Sequence, residues 1–271
     1  MNTPSTAAGS SNPSINDLFS LQGRVALVTG GSRGIGRMIA TGLLRAGARR
    51  VYISARKAEA CDATAAELRA QGFNCISLPA DVSSVEGAQD LARRIAEREG
   101  SLDILVNNAG AAWGAPFAEF PESGWDKVVD LNLKAPFFLT QALHGLLSKA
   151  AELRPAKVIN IASIDGISVN PLETYSYAAS KAGLIHMTKR MALRLIENNI
   201  VVNAIAPGAF ASDMNKVARD HGDEVAARVP AGRVGVDDDM AGAAIYLASR
   251  AGDYVVGATL TVDGGVTHAR G

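Results

Sequence analysis

Arg24-Val-Ala-Leu-Val-Thr29-Gly-Gly-Ser-Arg-Gly-Ile-Gly36 is a short apolar run that passes directly into glycines. A buried parallel strand has this form. Beyond it, Met38-Ile-Ala-Thr-Gly-Leu-Leu44 carries helical periodicity. Gly30, Ser32, Arg33, Gly34, Ile35 and Gly36 therefore lie between a strand and a helix. In that setting, main-chain amides at a helix N-terminus can cradle a phosphate. The spacing Gly30-x-x-x-Gly34-x-Gly36 departs from Gly-x-Gly-x-x-Gly, because Ile39 occupies the third position.

The same alternation continues outward. Arg50-Val-Tyr-Ile-Ser54, Asn74-Cys-Ile-Ser-Leu-Pro79 and Leu102-Asp-Ile-Leu-Val-Asn107 read as strands, with helices predicted from Cys61 to Gln71 and from Val85 to Glu99. Strand and helix alternating in this way predict an α/β fold, a doubly wound, mainly parallel sheet in one domain over 21–271. The second strand ends at Ala55-Arg56-Lys57 with no acidic residue. An acid there would bind the adenosine ribose of a dinucleotide, whereas an arginine accommodates a 2′-phosphate. Arg56, with Arg33 in reach, matches a phosphate bidentately, so NADP(H) is expected over NAD(H). Asp81 and Val82 follow the third strand, and Asn107-Asn108-Ala109-Gly110 follows the fourth. Their small and polar groups suit the trough of such a cofactor.

Further on, Glu122 to Ala151 reads as a long helix disturbed at Pro136, with Asn132 just before the disturbance. Lys157-Val-Ile-Asn-Ile-Ala162 is a strand ending at Ser163, and a helix is predicted from Tyr175 to Asn198. On that helix Tyr177 and Lys181 stand one turn apart on one face. An ammonium so placed is expected to lower the phenol pKa and fit it for proton transfer near neutrality. Ile200-Val-Val-Asn-Ala-Ile205 is a strand stopped at Ala206-Pro207-Gly208. The glycine-interrupted stretch 209–236 has the composition of a mobile lid. A helix from Asp237 to Ser249 and a strand from Ala258 to Val262 complete the pattern.

Composition narrows the functions available. With 27 basic and 27 acidic residues in 271, the chain lacks the positive excess of a nucleic-acid binder. No apolar run reaches the ~18 residues of a membrane span. Residues 1–20, rich in Ser, Thr, Asn, Pro and Ala, read as a disordered tail without a secretory signal. Cys61 and Cys75 have no metal-ligand spacing, and His144, His186, His221 and His268 are scattered. Neither a metal nor a disulfide is expected, and the cytoplasm is the expected compartment.

Taken in order, Thr29-Gly-Gly-Ser-Arg-Gly-Ile-Gly36, Asp81-Val82, Asn107-Asn-Ala-Gly110, Asn132, Ser163, Tyr177-Ala-Ala-Ser-Lys181, Pro207-Gly208 and Val262-Asp-Gly-Gly265 resemble the motifs of the short-chain dehydrogenase/reductases over about 21–266. The overall look is similar to 3-oxoacyl-[acyl-carrier-protein] reductases, and the run reaching Trp113 resembles the rhamnolipid-type β-ketoacyl reductases. The resemblance implies a Rossmann domain and hydride transfer between NADP(H) and a small-molecule carbonyl or alcohol. Tyr177 would be the proton donor, Ser163 would orient the carbonyl, and Lys181 would lower the tyrosine pKa and hold the nicotinamide ribose. Asn132 would hold a water in a proton relay. Tyr175, with no lysine four residues on, would line the substrate pocket. The segment Pro207-Gly-Ala-Phe-Ala-Ser-Asp-Met214 departs from the acyl-carrier-protein reductase pattern, and Phe210 and Ser212 would then cover the cofactor. Asp165 is unusual for an apolar acyl pocket and is taken to face solvent. Alcohol, polyol or sugar dehydrogenases using NAD(H), and a non-catalytic dinucleotide sensor, are the alternatives. A homotetramer, or a homodimer, is the implied assembly.

Overall fold

The computed structural model describes residues 14–212 and 215–269. Seven parallel strands make one sheet: β1 (Val25–Thr29), β2 (Arg50–Ser54), β3 (Cys75–Ser77), β4 (Ile104–Asn107), β5 (Ala156–Ile161), β6 (Ile200–Pro207) and β7 (Thr259–Val262). Their order across the sheet is β3-β2-β1-β4-β5-β6-β7. The chain runs outward from β1 to β3, then returns to place β4 on the other side of β1. The crevice between β1 and β4 is where ligands bind in such sheets.

Both faces are covered, which is why the strands read as unbroken apolar runs. Alternate residues of β1 serve opposite faces. Ala26 and Val28 belong to the layer made with α2 (Gly34–Arg45), α3 (Ala58–Ala70) and α10 (Asp237–Ala248), through Ile39, Leu43, Leu68 and Met240. Val25 and Leu27 face α4 (Val85–Ala96), α6 (Ala135–Ala151) and α7 (Tyr175–Leu195), through Leu91, Ile95, Leu139, Leu143 and Met191. Cys61 and Cys75 are buried free thiols.

Three expectations are corrected. Order begins before residue 21: Ser14 and Asp17 form a capping box that starts α1 (Ile15–Phe19), while residues 1–13 lie outside the described residues. β6 does not stop at Ile205 but continues through Pro207, which stands opposite Val262 of β7. The proline loses only its own donor, and the next amide, Gly208, still donates to the Val262 carbonyl at 2.9 Å. The long helix 122–151 is two helices, α5 (Glu122–Val129) and α6, joined by a π turn at Asp130–Lys134. Pro136 sits in the first turn of α6, so the disturbance falls just ahead of it, on Asn132.

In the stretch 209–236 the chain forms two short helices, α8 (Lys216–Asp220) and α9 (Gly222–Ala226). Asp213 and Met214 of the expected lid lie outside the described residues. The stretch is closed at its neck by a bridge between Phe210 and Gly235. Among the described residues no helix is long and apolar enough to cross a membrane.

Candidate active site

The glycine loop is held from below by Thr29 and Asn108. The Thr29 hydroxyl accepts from the amides of Asn108 and Ala109, both at 3.0 Å. The Asn108 side-chain amide donates to the carbonyls of Thr29 at 2.8 Å and Gly30 at 3.2 Å. This ties the ends of β1 and β4 across the crevice. Gly30 turns the chain at φ +65°, and a Cβ there would meet Asn108 Nδ2 at 2.7 Å. A Cβ on Gly36 would run into the Gly30 carbonyl and the Asn108 amide. Only glycine fits either place.

Arg33 precedes α2 in extended conformation, and no side chain caps that helix. The orphan amides of its first turn therefore remain available to an anion. Helix α2 starts at Gly34, four residues before the periodic run at Met38, so Gly34 and Ile35 form its first turn. Thr64 donates to the Ser32 carbonyl at 2.8 Å and fixes the loop from α3. Arg56 is exposed and makes no hydrogen bond or ion pair among the described residues. Asp81 is exposed and accepts from the Ser83 amide at 3.0 Å, whereas Val82 is buried. A Cβ on Gly34 would come within 3.2 Å of the Ser212 Cβ, so the segment after β6 reaches over the loop. These features make a cradle that fits a dinucleotide: glycines at the close approaches, free helix amides and an unpaired guanidinium at the second strand.

At the end of β5, the Ser163 hydroxyl lies near enough to the Tyr177 phenol to favour its ionisation, and it accepts from the Asp165 amide at 3.1 Å. Lys181 is buried, with its Nζ donating to the Ile161 carbonyl at 2.7 Å and lying 5.7 Å from the centre of the Tyr177 ring. Gly110 closes the other side: a Cβ there would meet Asn132 Oδ1 at 3.2 Å and Lys181 Nζ at 3.8 Å. Ser163, Tyr177, Lys181, Asn132 and Gly110 thus converge, with Pro207 and Gly208 at the end of neighbouring β6.

The electrostatics reverse one expectation. Burial pushes the Tyr177 phenol up to about 12, with Asp165 adding in the same direction and only the Ser163 hydrogen bond opposing. Burial also brings Lys181 down to about 8. The one-turn spacing is as expected, but the loss of water around both groups dominates.

The Asn132 side chain is engaged with its neighbours. Its Oδ1 accepts from Ala111 N at 2.8 Å, and its Nδ2 donates to Ala111 O at 2.9 Å and Ser180 Oγ at 3.1 Å. The side chain fastens the strand-end loop, using both amide hydrogens and one lone pair of its oxygen. Its main-chain carbonyl is different, because Pro136, four residues on, has no N–H to give it. Phe210, expected over the cofactor, is instead a core side chain, 2% exposed and pressed against Gly235. Asp165, taken to face solvent, is half-buried beside the hydroxyl pair. Tyr175 is exposed, donates to Glu173 Oε1 at 3.1 Å, and packs edge-on against Phe117 and Phe120.

Sequence reasoning passed over Thr29, Thr64, Ile161, Ala111 and Ser180. Thr29 was visible as the last strand residue before the glycines. The others act through main-chain atoms or across elements, where spacing carries no signal.

A family model described as short chain dehydrogenase matches residues 24–223. The chain is 49% identical over 251 residues to the rhamnolipids biosynthesis 3-oxoacyl-[acyl-carrier-protein] reductase of Pseudomonas aeruginosa, covering 91% of this chain and 97% of that one. The structure is similar to the RhlG/NADP active-site complex of Pseudomonas aeruginosa, with a TM-score of 0.88 and 48% identity over 93% of this chain and 99% of that one. It is similar also to a gluconate 5-dehydrogenase from Burkholderia cenocepacia in complex with NADP and tartrate, with a TM-score of 0.86 and 36% identity over 94% and 99%. The sheet order, the glycine cradle, the converging Ser, Tyr and Lys side chains and these likenesses agree: the chain belongs to the short-chain dehydrogenase family of oxidoreductases.

Proposed function

We propose that the protein reduces a carbonyl, a 3-oxoacyl thioester or similar ketone, to a secondary alcohol with NADPH. The observation that carries this is the convergence of Ser163, Tyr177 and buried Lys181, whose Nζ lies 5.7 Å from the Tyr177 ring centre, at the strand ends next to the glycine cradle. The first turn of α2 holds the pyrophosphate, Arg56 and Arg33 take the 2′-phosphate, and Lys181 holds the nicotinamide ribose. When bound, the dinucleotide supplies the hydride.

The chain's own residues handle the carbonyl oxygen. Ser163 orients it by hydrogen bonding, and Tyr177 gives its proton to the oxygen as negative charge develops there. A phenol held up to about 12 is protonated at neutral pH and so has a proton to give the carbonyl oxygen. The Asn132 carbonyl, which lacks the usual i+4 donor because residue 136 is proline, holds the water through which Lys181 and Tyr177 are reprotonated. In this reading the family's tetrameric assembly is retained, and exposed Phe137 and Leu193 are candidates for its interfaces.

The test is NADPH oxidation followed at 340 nm against 3-oxoacyl thioesters and simple ketones, with Tyr177→Phe as control. Turnover is expected with wild type and a loss of at least ~100-fold in the variant, as general-acid catalysis would require. NADPH should still bind the variant. A variant retaining most of its activity overturns the assignment.

A further inference from the structure

We propose that Asp165 is a specificity-determining residue: its carboxylate, near the Ser163 hydroxyl, excludes substrates carrying a negative charge next to the reacting carbonyl. This rests on the carbonyl-reductase reading above and narrows it to neutral ketones, esters and thioesters.

The position of Asp165 is set twice. Its main-chain amide donates to Ser163 Oγ at 3.1 Å. The next residue, Gly166, lies so close to α7 that a Cβ would meet the carbonyl carbon of Lys181 at 2.6 Å. The turn Ile164–Gly166 is therefore clamped between the end of β5 and the helix bearing Tyr177 and Lys181. The side chain is half-buried and makes no hydrogen bond or ion pair among the described residues. Its charge is felt at the phenol, whose ionisation it opposes. The other charged groups flanking the pair do not neutralise it. Lys181 makes no ion pair with Asp165; its Nζ donates instead to the Ile161 carbonyl at 2.7 Å. Glu173, N-terminal to Tyr175, is a second carboxylate, held by the Tyr175 hydroxyl and the Phe117 amide.

An unpaired carboxylate in partly dehydrated surroundings repels a like charge strongly, because little water remains to screen it. Two carboxylates brought within several ångströms at such a site should cost roughly tenfold or more in kcat/KM. A neutral substrate meets no such barrier, and an N–H or O–H near its carbonyl would find an acceptor. Specificity set by repulsion needs no pocket of matching shape.

A matched pair of probes tests this: ethyl acetoacetate and acetoacetate, which share the reacting ketone and differ in charge. In wild type the ester should be favoured, and Asp165→Asn should shift the ester-to-acid ratio of kcat/KM about tenfold toward the acid. Raising salt from ~50 to ~500 mM should narrow the wild-type ratio and leave the variant's nearly constant. Asp165→Ala, which also keeps the main-chain amide, should shift the ratio in the same direction. Calorimetric binding of 3-hydroxybutyrate and its ethyl ester to the NADPH-loaded protein gives a readout without turnover. A ratio unchanged by both variants, in turnover or in binding, overturns the proposal. Charge-dependent binding without reduction of either ketone would sustain the filter and overturn the reductase reading instead.

Discussion

Replacing Lys181 by methionine should make the cofactor-free protein respond differently to alkali. Lys181 is 4% exposed, and its ammonium has one acceptor, the Ile161 carbonyl at 2.7 Å. Burial lowers it from 10.5 to about 8, which corresponds to roughly 3 kcal/mol against the charged form. The sign follows from proton counting. Below pH 8 the lysine is protonated in both folded and unfolded chains, so the whole penalty is present. Between about 8 and 10.5 the folded protein releases the proton while the unfolded chain keeps it. Stability from this group therefore rises with pH across that window, by about 2 kcal/mol between pH 7 and 9.5. Lys181→Met has no such proton to lose. It should be more stable than wild type at pH 7 by about 1–2 kcal/mol, the desolvation relief less the orphaned Ile161 carbonyl. Wild type should regain that difference by pH 9.5. Urea unfolding of both proteins at the two pH values, at one protein concentration, measures it. Other titrating groups cancel in the difference. Parallel pH dependence in wild type and variant would show that Lys181 is not held in a dry site, and the account of its depressed pKa would fail.

Two further outcomes follow from the cradle. Arg56→Ala should weaken NADPH by about 10- to 100-fold, the worth of a charge-assisted bidentate contact, and leave NADH nearly unchanged; fluorescence titration with both nucleotides would expose an equal loss, which would remove Arg56 from the 2′-phosphate. Gly36→Ala should displace the Gly30 carbonyl and break the Asn108 bonds, costing about 1–3 kcal/mol in stability together with most dinucleotide affinity; a wild-type melting temperature and affinity would contradict the close approach at that point.

The sheet was legible because its central strands are buried on both faces, and apolar runs such as Val25–Thr29 and Arg50–Ser54 have no competing explanation. Strand ends were less so. Pro207 reads as a stop, yet one missing donor at the end of β6 costs little when Gly208 continues the pairing. The site's members were visible as motifs: Ser163, Tyr177 and Lys181 come together where the strand and helix pattern places them. Their protonation was not, because a four-residue spacing fixes distance and says nothing of hydration. Local spacing likewise could not separate the amide of Asn132, spent on Ala111 and Ser180, from its carbonyl, nor show that Phe210 points into the core. Asp165 looked anomalous in sequence, and its half-buried place beside Ser163 gives the anomaly a use.

The clasp between Phe210 and Gly235 separates two kinds of evolutionary freedom. With the stretch pinned at Phe210 and Gly235, held again where Ala231 N donates to the Gly264 carbonyl, and with Ser212 lying over Gly34, the helices α8 and α9 between these points can change composition without pulling on β6. New substrates could therefore be explored by exchanging these two helices between relatives, while Ser212, the clasp and the machinery beneath are inherited intact.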